Sequence, residues 1–142
     1  GGKEKAPAAM LRKACEAENN GVIEVWGDGT QTRSFLYIDE CIEAVLRLME
    51  SDFLGPVNIG SDEMVSINDL AELAIKLSEK DLKVNNIFGV DFRNKYGFDC
   101  PTGVMGRNSD NNLIHEKLNW KPSQKLEDGL LKTYPWILNQ LL

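Results

Sequence analysis

The 142 residues contain no G-x-G-x-x-G or G-x-x-G-x-x-G run, so the glycine turn that admits a dinucleotide pyrophosphate to a helix start is missing. Histidine occurs once, at His115, and a lone histidine without a neighbouring partner gives little support to a histidine base. The three cysteines, Cys15, Cys41 and Cys100, form no C-x-x-C pair and are odd in number. That excludes the common zinc spacings and a closed disulfide framework, so free thiols and no metal site are expected. No apolar run reaches the roughly 20 residues of a membrane span, and no secretory leader is recognisable. A soluble, reducing compartment such as the cytoplasm is the expected location, with no membrane contact. Positive charge is scarce as well: 16 Lys and Arg against 22 Asp and Glu leave a net charge of -6. A broad nucleic-acid surface is excluded, and any anion must be met by local arginines and lysines.

What is present suffices for one domain with its own core, since 42% of the residues are hydrophobic. The chain is organised around residues 26–40, where the turn Gly27-Asp28-Gly29 separates two apolar, strand-like runs. Gln31, Thr32 and Arg33 follow that turn and put an amide, a hydroxyl and a guanidinium side by side, a set suited to phosphate or sugar hydroxyls. Ahead of it, the spacing predicts a helix from about Pro7 to Glu18, stopped by Asn19-Asn20-Gly21. Behind it, Asp39 is expected to cap a helix reaching about Ser51. On that helix Cys41, Ile42, Val45, Leu46, Leu48 and Met49 make a buried stripe, while Glu40, Glu43, Arg47 and Glu50 face outward.

Val57-Asn58-Ile59-Gly60 reads as a short strand, and Ser66-Ile67-Asn68-Asp69 as the capping box of a helix carrying Ile67, Leu70, Ala71, Ala74 and Leu77 inward. A further strand is expected within residues 82–88. Alternating strands and helices predict an α/β fold with parallel pairing. Residues 89–103 show no clear period and read as a loop with three aromatic residues. A short helical turn at 113–118 precedes Trp120, read as a packing anchor. The final amphipathic helix carries Leu130, Leu131, Tyr134, Ile137, Leu138 and Leu141, with a kink or restart expected at Pro135.

Residues 26–40 resemble the W-G-D-G-x-Q-x-R-x-F-x-Y-I-x-D segment of extended short-chain dehydrogenase/reductases that act on nucleotide sugars. Gly1-Gly2-Lys3-Glu4-Lys5-Ala6 and Gly106-Arg107-Asn108-Ser109-Asp110-Asn111 narrow the likeness to the GDP-mannose 3,5-epimerases. The resemblance runs from residue 1 to about 138. Between 89 and 103 this sequence departs from the family pattern, which has a shorter connection there, and Met105 stands where that pattern has an arginine. Neither the glycine fingerprint nor the family's Tyr-x-x-x-Lys pair is present. The resemblance thus implies the C-terminal, substrate-binding portion of a Rossmann-type NAD-dependent epimerase with an incomplete sheet, the dinucleotide-binding part lying upstream. Alone, this portion is expected to be inactive.

The implied reaction converts GDP-D-mannose to GDP-L-galactose through a transient 4-ketone with bound NAD, in ascorbate biosynthesis, by a homodimer. Inversion at C3 and C5 needs an acid and a base on opposite faces, and the family's lysine falls at Lys5. The same likeness gives Glu4, Lys5, Ala6, Lys13, Gln31, Thr32, Arg33 and Arg107 as substrate-binding residues for a GDP-hexose, and none for the cofactor. Lys5 can act as an acid near neutral pH where burial or nearby cations, with Lys3 a candidate, lower its pKa. Ser109 and Asp110 are read as local loop structure. Two other readings stay open: another 4-epimerase or dehydratase of the superfamily, and a noncatalytic module that binds sugar nucleotides.

Overall fold

The computed structural model describes residues 4–101 and 103–141, so Gly1, Gly2 and Lys3 of the opening motif lie outside the described residues. Among the described residues eleven elements follow in order. They are α1 (Ala6–Glu16), β1 (Val22–Trp26), β2 (Thr32–Ser34), α2 (Ile38–Met49), β3 (Met64–Ser66), α3 (Ile67–Ser78), β4 (Lys83–Ile87), α4 (Gly89–Tyr96), β5 (Gly106–Arg107), α5 (Asn112–Leu118) and α6 (Leu126–Leu141). β1 and β4 pair in parallel, from Val22 opposite Lys83 to Trp26 opposite Ile87. In a second, three-stranded sheet β2 lies between β3, antiparallel to it, and β5, parallel to it.

Strand alternation turns Ile23 and Val25 inward. They meet Met10, Leu11 and Ala14 of α1, Leu70, Ala71 and Ala74 of α3, and Leu130 and Ile137 of α6 in the main core. Ser66 caps α3, its hydroxyl accepting from the Asp69 amide at 3.0 Å and donating to the Asp69 carboxylate at 2.7 Å, so the expected cap forms with the carboxylate on the hydroxyl rather than on the Ser66 amide. A smaller core joins Ala44, Ile114 and the buried Trp120, confirming that tryptophan as a packing anchor.

Five expectations are corrected. First, Tyr37 rather than Asp39 is the N-cap of α2, without a side-chain hydrogen bond, and Asp39 sits in the first turn. Second, the stripe on α2 faces solvent: Ile42 is 50% and Met49 74% exposed, along with Ile38, Val45 and Leu46, whereas Glu40 is 3% exposed. The carboxylate of Glu40 is held inside because one oxygen accepts from the Ser123 amide and hydroxyl, both at 2.6 Å, and from the Gln124 amide at 3.0 Å. Third, residues 57–60 form no strand, for among the described residues no other strand pairs with them.

Fourth, residues 89–96 are helical. Phe92 and Tyr96, one turn apart, fold with Phe98 onto Trp26, and Gly97 closes the helix at φ +80°. Fifth, α6 runs unbroken through Pro135 and does not restart, and its Leu131 and Leu141 are exposed. Leu130, Tyr134 and Ile137 hold one turn to the next against the core on either side of the proline.

Candidate functional site

The turn after β1 is fixed by asparagines from two other elements. Gly27 and Gly29 adopt φ of +90° and +74°, which only glycine takes without strain. Asn68, in the first turn of α3, accepts the chain closely: its amide nitrogen donates to the Asp28 carbonyl at 3.0 Å, and its backbone N–H to the Gly29 carbonyl at 3.1 Å. Asn86 of β4 donates to the Gly27 carbonyl at 3.1 Å and to the Asn68 side-chain oxygen at 2.9 Å. A Cβ on Gly29 would stand 1.9 Å from that oxygen. The turn therefore starts residues 30–37 from a fixed point.

From there the chain lines three cavities in sequence. Gly27, Asp28 and Gln31 wall an open cavity of about 420 Å³ together with Phe88, Arg93, Asp99 and Met105. Arg33, Ser34 and Leu36 wall a groove of about 410 Å³ with Asn58, Ser61, Arg107 and Ser109. Phe35, Leu36 and Tyr37 wall a third space of about 210 Å³ with Lys5, Gln124 and Thr133. Leu36 is common to the second and third. Between the first and second, the Arg33 guanidinium lies 3.0 Å from where a Cβ on Gly103, a residue lining the first cavity, would stand.

The middle groove is cationic for a stated reason. Arg33 and Arg107 are direct register partners on the parallel strands β2 and β5, an arrangement in which like charges repel. Among the described residues neither makes an ion pair. Arg33 instead folds back to donate to the Thr32 carbonyl at 2.6 Å. An anion with two oxygens would relieve both guanidiniums at once. The Thr32 hydroxyl lies against both neighbouring strands, 3.7 Å from the Met64 sulfur of β3 and 3.0 Å from where a Cβ on Gly106, its partner on β5, would stand.

The remaining candidates surround the start of α1. Lys5 is the exposed N-cap residue of α1 and lines the third cavity. Glu4 accepts from Arg12 at 3.0 Å, and Ala6 opens the helix and packs on the core. Lys13 is turned away from Lys5 toward β1, where its ammonium donates to the Glu24 carbonyl at 2.5 Å. Burial lowers its pKa, opposed by the charge of Glu24 and helped by that of Arg12. Glu24 in turn holds Lys95 and Tyr96 of α4. His115 is exposed on α5. Ser109 and Asp110 are local structure as read: Ser109 donates to Asn111 at 2.7 Å, and Asp110 accepts from the Asn112 amide at 3.0 Å.

Sequence reasoning found the strand residues and missed Arg93 and Asp99, brought to the first cavity by α4. The available signal was Phe92 and Tyr96 at helical spacing ahead of Gly97.

Comparison with known proteins gives the family and the fold. The model of the family described as GDP-mannose 4,6 dehydratase matches residues 3–133. GDP-mannose 3,5-epimerase of Arabidopsis thaliana is 55% identical over 99% of this chain and 34% of its own length. GDP-L-fucose synthase 1 of the same plant is 36% identical over 94% of this chain and 39% of its own length. The crystal structure of UDP-glucuronic acid 4-epimerase from Bacillus cereus, in complex with UDP-glucuronic acid and NAD, is 27% identical. It superimposes with a TM-score of 0.77 over 98% of this chain and 41% of the other. The chain spans about a third of the length of the curated relatives it matches first. With the family model covering all but its ends, the chain belongs to the GDP-mannose 4,6 dehydratase family of nucleotide-sugar enzymes.

Proposed function

We propose that this chain is the substrate-binding, C-terminal portion of an NAD-dependent GDP-mannose 3,5-epimerase. The observation that carries the reading is the order of the three cavities along residues 27–37. A partly apolar cavity comes first, a twin-arginine groove second, and a smaller space lined by Lys5 third. A nucleotide sugar has the same order of base, diphosphate and hexose. The likeness to GDP-mannose 3,5-epimerases supplies the choice of substrate.

In this reading Arg33 and Arg107 grip the diphosphate, Gln31 lies toward the nucleoside, and Lys5 meets the hexose. The Lys5 ammonium then delivers a proton to the sugar carbon on one face, a base from the upstream portion having removed one from the other. NAD, when held by the upstream portion, would take the C4 hydride to leave the ketone that acidifies C3 and C5, and would return it after inversion. This chain does not fit the cofactor: the Gly27–Gly29 turn after β1 is filled by Asn68 and Asn86, leaving no cradle for a pyrophosphate. NAD is therefore assigned to the upstream portion, together with the catalytic tyrosine and the base. The complete enzyme is a cytoplasmic homodimer feeding ascorbate synthesis in this reading.

The test uses the full-length protein with GDP-mannose in deuterated water. Deuterium at C3 and C5 is expected. Lys5→Met should abolish incorporation at the carbon it protonates while GDP binding persists. Label at neither carbon with the unaltered enzyme rejects the reaction.

A further inference from the structure

Lys5 sits where nothing in its own side chain fixes it. It is the N-cap of α1, with φ -75° and ψ 159°, and makes no capping bond, since lysine lacks the short acceptor that holds a helix start. Among the described residues it makes no ion pair either. A long side chain without a tether spreads over many rotamers, so an acid that must meet one carbon needs its backbone fixed from outside. The residue before it is so fixed. Glu4 accepts from the Arg12 Nε at 3.0 Å, and Arg12 donates a terminal nitrogen to Glu16 at 2.5 Å.

The Glu4–Arg12 bond crosses eight residues, roughly 12 Å along a helix at 1.5 Å each, so the chain ahead of α1 bends back along it instead of running off its axis. Arg12 is gripped one turn on by Glu16, which makes its guanidinium a fixed point. The Arg12 and Glu4 side chains are 25% and 29% exposed, so the pair is partly shielded from water. In extended backbone successive side chains leave on opposite sides. With Glu4 drawn onto α1, Lys5 leaves the other way, into the space walled by Pro7, Phe35, Leu36 and Tyr37. Lys125 is the other cation lining that space, and among the described residues no carboxylate lines it.

We infer that Arg12 is a positioning residue for Lys5, acting through Glu4. The inference rests on the reading of Lys5 as the proton donor and adds what holds that donor in place. Arg12 has two effects. It fixes the backbone from which Lys5 departs, and it occupies the carboxylate next in sequence to the Lys5 ammonium. Released from Arg12, that carboxylate would pair with a neighbouring ammonium, and a charge-assisted bond of this kind is strong enough to draw Lys5 out of the cavity. Lys13 is the competing ammonium. Burial lowers its pKa, the Arg12 charge lowers it further, and the Glu4 charge opposes both. Its ammonium, however, already donates to the Glu24 carbonyl at 2.5 Å, which leaves Lys5 as the partner that a freed Glu4 would take.

The experiment follows deuterium from deuterated water into GDP-mannose, carbon by carbon, with the full-length protein, and measures kcat, KM and a melting curve for each variant. Arg12→Gln removes the charge and keeps a polar side chain. It should slow incorporation at least tenfold at the carbon whose label Lys5→Met abolishes, and less than twofold at the other, with KM within twofold. Arg12→Lys should recover to within threefold of the unaltered enzyme, because a cation again meets Glu4. Arg12→Gln added to Lys5→Met should slow neither carbon further, since residues that act as one unit are not additive. Unchanged rates, equal slowing at both carbons, loss of cooperative melting in Arg12→Gln, or an Arg12→Lys variant as slow as Arg12→Gln overturns the assignment and leaves Lys5 as donor standing. Label at neither carbon with the unaltered enzyme, or at both with Lys5→Met, overturns the reading of Lys5 as well.

Discussion

Arg33→Ala distinguishes an arginine that holds ligand from one that holds the fold, because the two predict different outcomes for stability and binding. Its neighbour across the strand is Arg107, and at a strand spacing of about 4.8 Å two unit charges in a water-like dielectric repel by roughly 0.9 kcal/mol. Removing one relieves that repulsion. The same change loses the 2.6 Å bond to the Thr32 carbonyl, worth about 1 kcal/mol net. The two effects nearly cancel, so thermal unfolding of the ligand-free protein should move by less than about 0.5 kcal/mol, the range of a neutral surface change. Binding behaves otherwise. A hydrogen bond to a charged group contributes roughly 1.5–3 kcal/mol, so GDP affinity should fall about 10- to 150-fold. Arg33→Lys should fall between, keeping the charge but not the two-pronged grip. Calorimetric titration with GDP and a parallel melting curve give both numbers. A large loss of stability with GDP affinity unchanged would refute the assignment, making Arg33 a strand residue and nothing more.

Four other outcomes follow from the geometry. Gly29→Ala must move Asn68 and adopt φ near +74°, and strain with the loss of one or two hydrogen bonds should cost about 3 kcal/mol by chemical denaturation. Trp120→Ala should cost about 3–5 kcal/mol in the same assay by emptying the smaller core. Glu24 is buried in part, which raises its pKa, but its bonds from Lys95, Tyr96 and Trp26 prevail and lower it. Its contribution is therefore present above the unfolded pKa near 4.5 and is lost as pH falls through the lower folded value. Hydrogen exchange in residues 89–96, corrected for intrinsic rates, should accelerate below pH 4.5, and Glu24→Gln should show the faster exchange already at pH 7. Finally, Leu46→Lys on the exposed face of α2 should leave the isolated chain's unfolding unchanged and make the chain less prone to self-association. Lost stability in the isolated chain would show that the face is buried after all.

Much of the fold was legible because local signals and tertiary packing agreed. The capping box at Ser66, the glycine turn at 27–29 and the parallel pairing all appear where residue chemistry placed them. The misses share a cause, which is partnership that periodicity cannot see. The α2 stripe is amphipathic by spacing, yet in this chain the bonds to residues 123 and 124 turn Glu40 inward and leave the leucine and isoleucine side open. Residues 57–60 have a strand's composition and, among the described residues, no strand to pair with. α4 was hidden because one aromatic face docked on Trp26 suffices for eight residues and leaves no repeating pattern. At the site, the arginines and Gln31 were legible from their motif, whereas Arg93 and Asp99 depend on how α4 folds back over β1.

α3 acts as a spacer between two parts of the site that it does not itself line. Its first turn grips the start of the cavity-lining segment through Asn68. Just past its last turn, Lys80 spends its ammonium protons on the carbonyls of Ala14, Cys15 and Ala17, anchoring the far end of the helix that begins beside Lys5. Twelve residues at about 1.5 Å each set a separation of roughly 18 Å between those two grips. One residue inserted within α3 would rotate one end against the other by about 100°. Lys5 and the Arg33–Arg107 pair would then fall out of alignment, though none of the three residues was changed.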